Sequence, residues 1–224
     1  MTNTTLLDQI EMLRAQLETS LPMPVLLVVS SARSDDGKGM VASGLASSMQ
    51  AAGYSTLLVL ADEQTQDVDA VPEPKSLAEV CDRGIGRYAV RAARTHASII
   101  VVPSKKIRHT ISREAVTRFS ATCRASFQVT IVEVAAVLTN AFAMLMSVTA
   151  DGVLLTIREG RRVCAEDRQL AKLLVREQAQ FLGLVSIQGS AIRDGRPNGT
   201  LKPLTAGSAV PTSNRDMSRA PQAV

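Results

Sequence analysis

Ala32-Arg33-Ser34-Asp35-Asp36-Gly37-Lys38-Gly39 is the stretch whose reading decides the fold. An apolar run, Val25-Leu26-Leu27-Val28-Val29, precedes it. A helical pattern from Met40 through Ala52, closed by Gly53, follows it. Strand, loop and helix in that order are the setting of a phosphate-binding loop. There, backbone N–H groups and the positive end of the helix cradle phosphates, and a lysine reaches the outer ones. Lys38 holds the lysine position. The next residue should be a serine or threonine whose hydroxyl holds Mg²⁺, and here it is Gly39. Asp36, Gly37, Lys38, Gly39 and Met40 are therefore the candidate nucleotide-contacting residues. ATP or ADP is the expected cofactor, and Mg²⁺ is expected to be held poorly.

Working outward, apolar strand-like runs fall at 25–30, 55–60, 98–102, 129–132, 152–157 and 181–187. Helical patterns fall between them at 39–52, 77–97 (interrupted by Gly84 and Gly86), 112–124, 140–148 and 164–179. Ser112 is a candidate N-cap. Strands that are apolar throughout and alternate with helices imply an α/β fold: a mostly parallel sheet with helices on both faces. Leu6, Leu7, Ile10, Leu13 and Leu17 recur at helical spacing, so 1–20 reads as an amphipathic helix ahead of an α/β domain at 21–189. Residues 190–224 are rich in Gly, Pro, Ser, Asn and Arg with little apolar periodicity, and are expected to be disordered.

Composition excludes several classes. The 224 residues are 46% hydrophobic and 21% charged, which fits a folded domain. Aromatics make up only 3% and tryptophan is absent, so no stacking platform for single-stranded nucleic acid is available. The net charge of +4 is too mild to imply nucleic acid by itself. It is unevenly spread, however: residues 62–82 hold seven acids and one lysine, whereas 83–124 hold ten Lys/Arg and one acid, Glu114. Arg83, Arg87, Arg91 and Arg94 sit at helical spacing and would form a basic stripe if that stretch were one helix. Cys81, Cys123 and Cys164 have no metal-ligand or redox spacing and read as reduced structural thiols. His96 and His109 share no ligand spacing, and no metal site is expected. The seventeen uncharged residues from Val134 to Ala150 are borderline for a membrane span. Their Thr, Asn and Ser content and their place between two strand-like runs make them a loop and helix instead.

In its order of pieces from about Glu11 to Gln188, the chain resembles the cytoplasmic kinase domain of bacterial tyrosine kinases, the P-loop family of capsular and exopolysaccharide biosynthesis. Val25–Ala52 matches that family's strand, loop and helix, with Ala32, Asp36 and the Gly37-Lys38 pair in place. Asp35 stands where the family has glycine, and Gly39 where it has Ser or Thr. Thr56–Gln64 is similar to the second acidic motif, a strand ending Asp-Ala-Asp; Leu60 replaces the first Asp, Asp62 matches the second, and Gln64 replaces the following basic residue. Phe127–Leu138 resembles the Walker B strand, with Glu133 in place of Asp and Val134 in place of Thr. Asp151–Gly160 resembles the next strand. Leu182–Gln188 resembles the last, with Gln188 where the family has a base-contacting Asn. In the N-terminal helix Glu11 and Arg14 match an oligomerisation motif, while Leu17 replaces its last arginine. The tail has no tyrosine cluster; the two tyrosines are Tyr54 and Tyr88.

The resemblance implies Asp62 and Glu133 as the catalytic carboxylates and Gln188 as a base contact. It also implies a membrane-embedded polysaccharide co-polymerase or export protein as partner, a homo-oligomer through Glu11 and Arg14, and a cytoplasmic location at the inner face of the membrane. Phosphoryl transfer rests on positioning and on metal-borne charge neutralisation. Each lost transition-state contact costs about 3 kcal/mol, so the replaced positions, counted as independent losses, imply a weakened or inactive kinase-like regulator. Two alternatives remain open: an active kinase or ATPase whose acids rebuild the metal site, and a positioning or partitioning protein of the wider deviant P-loop group.

Overall fold

The computed structural model describes residues 6–33, 36–62, 72, 74–91, 96–102, 111–158, 162–187 and 201–203. Six parallel strands carry the architecture: β1 (Val25–Ser31), β2 (Thr56–Ala61), β4 (Ser98–Val101), β5 (Val129–Val134), β6 (Gly152–Arg158) and β7 (Phe181–Ile187). Two short antiparallel strands, β3 (Val90–Arg91) and β8 (Leu201–Pro203), close the edges. Among the described residues the order is β3-β4-β2-β5-β1-β6-β7-β8. The first strand therefore lies inside the sheet, flanked by β5 and β6, and is buried at every position.

The period of two divides each strand between two cores. Leu26 and Val28 of β1, Leu57 and Val59 of β2, and Val132 and Val134 of β5 face one helical layer. That layer is α3 (Leu77–Arg83), α4 (Arg113–Ser126), α5 (Ala141–Thr149) and α6 (Ala165–Arg176). Val25, Leu27, Val29, Leu58, Leu60 and Ile131 face the other, α1 (Leu6–Ser20) and α2 (Lys38–Ala51). Three of the helices, α3, α4 and α5, start at polar caps. Ser76, Ser112 and Asn140 accept hydrogen bonds from the N–H groups of Glu79, Ala115 and Ala143.

Helix α1 docks on α2 through Ile10, Leu13 and Leu17, all buried. Gly44 allows the approach: a Cβ there would lie 3.1 Å from the Ile10 side chain. Arg14 donates to Ser48 Oγ of α2 at 3.2 Å and pairs with Glu18 at 2.6 Å, so one residue of the expected oligomerisation pair is engaged within the chain. At the amino-terminal end of the strands, Asp151 accepts from the Leu26 N–H at 2.7 Å. It also takes both arms of Arg124, at 3.0 and 3.1 Å. The same guanidinium donates to the Thr149 carbonyl at 2.9 Å. This cluster pins β1, α4 and the α5–β6 turn together.

Some expected elements differ in the structure and others are met. The 77–97 stretch is not one helix: α3 ends at Arg83, Gly84 turns the chain at φ 84°, a short 3-10 turn covers Ile85–Arg87, and β3 follows. Gly84 and Gly86 break the hydrogen-bond ladder in a stretch whose apolar spacing alone looked helical. Arg83, Arg87 and Arg91 thus lie on three different elements and make no helical stripe; Arg94 is outside the described residues. Within the stretch expected to be disordered, Leu201–Pro203 pairs with Val185–Ile187. Among the described residues no helix is long and apolar enough to cross a membrane. The 134–150 stretch folds as a 3-10 turn and α5. Burial pushes the Cys123 thiol well above its ordinary range, as suits an inert core residue.

Candidate functional site

The loop lies at the carboxyl end of β1, the central position of the sheet, where ligands of open α/β sheets bind. Ser30 at the strand's end donates to the Ala135 carbonyl at 3.0 Å, which holds the exit of β1 beside that of β5. Ser31 donates to the Arg33 carbonyl and starts the turn. Asp36 is buried and accepts from the Arg158 N–H at the end of β6 at 3.4 Å. Gly37 then takes a left-handed conformation, φ 72° and ψ 22°, as the N-cap of α2, and its carbonyl accepts from the Met40 N–H. The φ favours glycine at this position, because a side chain would be strained there; a Cβ would also meet the tip of the Ile187 side chain at the end of β7, which would have to turn aside.

Lys38 opens α2 with a side chain only 3% exposed, and its Nζ lies 2.6 Å from Asp62 just beyond β2. Glu133 belongs to the same cluster. In register it sits between Val29 of β1 and Leu60 of β2. It is buried, and among the described residues its Oε2 has no hydrogen-bond partner. Burial raises its pKa from 4.5 to about 7; nearby Lys38 opposes the shift and Asp62 adds to it. A buried polar atom without a partner is costly, so its retention here calls for a reason.

Gly39 supplies one. A Cβ on Gly39 would lie 3.1 Å from Glu133 Oε1 and 3.4 Å from Oε2. The lengthened carboxylate of β5 fills the space beside the residue that lacks a side chain. Gly39 and Glu133 are therefore neighbours in the fold, and a side chain at position 39 would press on the carboxylate. The expectation that Mg²⁺ is held poorly rested on the missing hydroxyl at Gly39 and the missing acid at Leu60, and it finds no support: the Glu133 carboxylate lies beside Gly39.

The structure thus brings together Asp36, Gly37, Lys38, Gly39, Asp62 and Glu133, with Met40 on the first turn of α2. Gln188 lies outside the described residues, as do Ser34 and Asp35. The sequence argument missed Ile187, which closes over Gly37. It also treated Leu60 only as a lost acid, although Leu60 lies beside Glu133 and leaves that carboxylate without an in-register acidic neighbour.

No protein-family model matches the sequence, and no curated protein matches it. Solved structures do. The kinase domain of Escherichia coli tyrosine kinase ETK superposes with a TM-score of 0.69 at 17% identity, covering 80% of this chain and 74% of that one. This is the fold of a bacterial tyrosine kinase domain. The same P-loop NTPase architecture appears in the cobyrinic acid a,c-diamide synthase of Mycobacterium smegmatis, solved with bound ADP and magnesium. That chain aligns with a TM-score of 0.59 at 18% identity, over 72% of this chain and 73% of its own. The MinD cell division protein of Aquifex aeolicus aligns with a TM-score of 0.55 at 15% identity, over 72% and 68%. The likeness to all three is one of fold.

Proposed function

We propose that this chain is a kinase-like P-loop protein that holds ATP or ADP at the 32–39 loop, transfers phosphoryl groups weakly or not at all, and regulates the synthesis or export of an extracellular polysaccharide. The observation that carries the nucleotide part is the Lys38 ammonium. It is buried beside a left-handed glycine turn, paired with Asp62 just beyond β2 and near Glu133 of β5. A lysine in that position recognises the outer phosphates of a nucleotide. In the resting protein Asp62 takes that role, so nucleotide must displace Asp62 to bind.

Weak transfer is supported by the acceptors and by the acids. Tyr88 is buried in the core and so withdrawn from phosphorylation, and Tyr54 is half-buried against the α2 layer. Leu60 removes a carboxylate beside Glu133, and with it part of the charge apparatus on which phosphoryl transfer depends. The polysaccharide pathway, a membrane-embedded co-polymerase as partner and a position at the inner face of the membrane come from the kinase-like resemblance. A homo-oligomer would use exposed Glu11; Arg14 would first have to leave Glu18 and Ser48.

The test is a pair of assays on the purified protein: calorimetric titration with ATP and ADP, and phosphate release with ATP and Mg²⁺. Micromolar binding with turnover far below the roughly 1–100 per second of working kinases is the expected result. Efficient Mg²⁺-dependent hydrolysis, or failure to bind either nucleotide, would sink the proposal.

A further inference from the structure

Resting on the reading that puts this chain at the inner face of a membrane, we infer that the outward face of α6 docks directly on an anionic lipid surface. Arg168, Lys172 and Arg176 follow one another at one-turn spacing on this helix, and all three are exposed. Leu170 and Leu174, on its opposite side, are buried in the core. A basic stripe therefore exists on α6, although the stretch from Arg83 to Arg91 forms none.

The charges on this face are arranged for an external anion. On α1, α3 and α4, Arg14, Arg83 and Arg118 each face an acid of the same chain. Among the described residues neither Arg168 nor Lys172 makes an ion pair, and Arg176 pairs with Glu177 at 2.8 Å. The neighbour one turn along from Arg168 is Lys172, and from Lys172 it is Arg176. Like charges at that spacing repel and weaken a helix. An anion laid along the face would remove the repulsion. The acids of α6, Glu166 and Asp167, are confined to its first turn, where Asp167 accepts from the Cys164 N–H at 2.8 Å.

Apolar side chains beside the cations favour lipid over other polyanions. Val175 lies seven residues on from Arg168, on the same helix face, and is 59% exposed. Val163, just ahead of the helix, is 50% exposed. Arg168, Lys172 and Arg176 also line a shallow groove of about 450 Å³ with Ala165, Gln169 and Leu173. An anionic leaflet offers phosphate headgroups to the cations and an apolar layer to the valines. A nucleic acid duplex offers phosphates without that layer. Each basic side chain near such a leaflet strengthens binding by roughly fivefold, so three give on the order of a hundredfold. A contact of that strength orients a protein at the membrane and is screened by salt.

The experiment sediments the purified chain with vesicles of equimolar phosphatidylglycerol and phosphatidylcholine, and with phosphatidylcholine vesicles, at low and high ionic strength. The wild type should bind the anionic vesicles at least about tenfold more tightly than the neutral ones, and release them in high salt. Arg168→Gln/Lys172→Gln should lose at least about tenfold. Val175→Ser should weaken binding a few-fold with the salt dependence unchanged. Arg83→Gln/Arg87→Gln removes the same charge from other elements and should keep most of the binding. Thermal melts verify that every variant folds. No preference for the anionic vesicles overturns the inference, as does undiminished binding by Arg168→Gln/Lys172→Gln. An equal loss in Arg83→Gln/Arg87→Gln overturns it by tracing the binding to net charge. Tighter binding of duplex DNA than of vesicles through Arg168 and Lys172 overturns it in favour of nucleic acid. Because the assay contains neither nucleotide nor a partner protein, these failures leave nucleotide binding and partner-held membrane attachment standing.

Discussion

Two charged clusters sit at opposite ends of β1, and they are finished to different degrees. At the amino end, Asp151 receives three donors, from the Leu26 N–H and both arms of Arg124, while Arg124 also serves the Thr149 carbonyl. That cluster is half-exposed, and its polar groups are matched. At the carboxyl end, Lys38 and Asp62 are paired more deeply, yet the neighbouring Glu133 keeps an orphaned oxygen and a proton affinity raised by burial. A cluster whose only task is to hold elements together can satisfy every group. One left incomplete at a site of equal or greater burial is waiting for something. Perturbed and unsatisfied groups gather where ligands bind.

The contrast can be broken in four ways, from the largest effect to the smallest. Lys38→Met strips the ammonium that faces Asp62 and Glu133 and should destabilise the protein by about 3–5 kcal/mol in urea unfolding. A loss below about 1 kcal/mol would mean that the upper cluster is solvated after all.

Glu133→Gln should act in the opposite direction. A carboxyl whose pKa is raised on folding contributes most below its unfolded value and loses that contribution as pH rises through the folded one. With Glu133 raised from 4.5 to about 7, the ligand-free wild type should lose stability between those limits. At pH 8 the glutamine variant should therefore be more stable by about 3 kcal/mol, with little difference at pH 4. Unfolding curves at the two pH values check this, and a pH-independent difference would contradict it.

Asp151→Ala removes acceptors from a backbone N–H and a half-exposed arginine and should cost about 2 kcal/mol, read as a lowered urea midpoint. Arg124→Lys keeps the charge but loses the two-armed geometry. Because that pair is partly solvated, the cost should stay below about 1 kcal/mol. If the two lower-cluster variants proved costlier than Lys38→Met, the ranking of the clusters would be inverted.

Most of the sheet was legible in the sequence because parallel strands buried on both faces leave continuous apolar runs. β1, β2, β5, β6 and β7 each match such a run to within a few residues. The helices with polar caps, α4 after Ser112 and α5 after Asn140, were equally plain. The failures have a common cause. Between Gly84 and Arg91 the apolar spacing suits a helix, but two glycines and the pairing of Val90 with Ile99 favour an edge strand. Leu201–Pro203 has no local signal at all, and its strand exists only because β7 offers an open edge.

At the site, Lys38, Asp62 and Glu133 could be named one at a time from motif positions, whereas their coupling could not. That Gly39 faces Glu133 and Leu60 flanks it depends on the β1–β5 and β2–β5 registers. Those registers set Glu133 against Val29 and Leu60, residues far from it in the sequence. Separate in the sequence, Gly39 and Leu60 both lie beside Glu133 in the fold.

The most direct measurement is a crystal structure of the protein grown with ADP and Mg²⁺, read at a single atom, Lys38 Nζ. In the ligand-free state it lies 2.6 Å from Asp62. The account predicts that it leaves Asp62 for a phosphate oxygen at ordinary hydrogen-bond distance. ADP bound at the loop with the Lys38–Asp62 pair still closed, or ADP bound elsewhere on the protein, would contradict it.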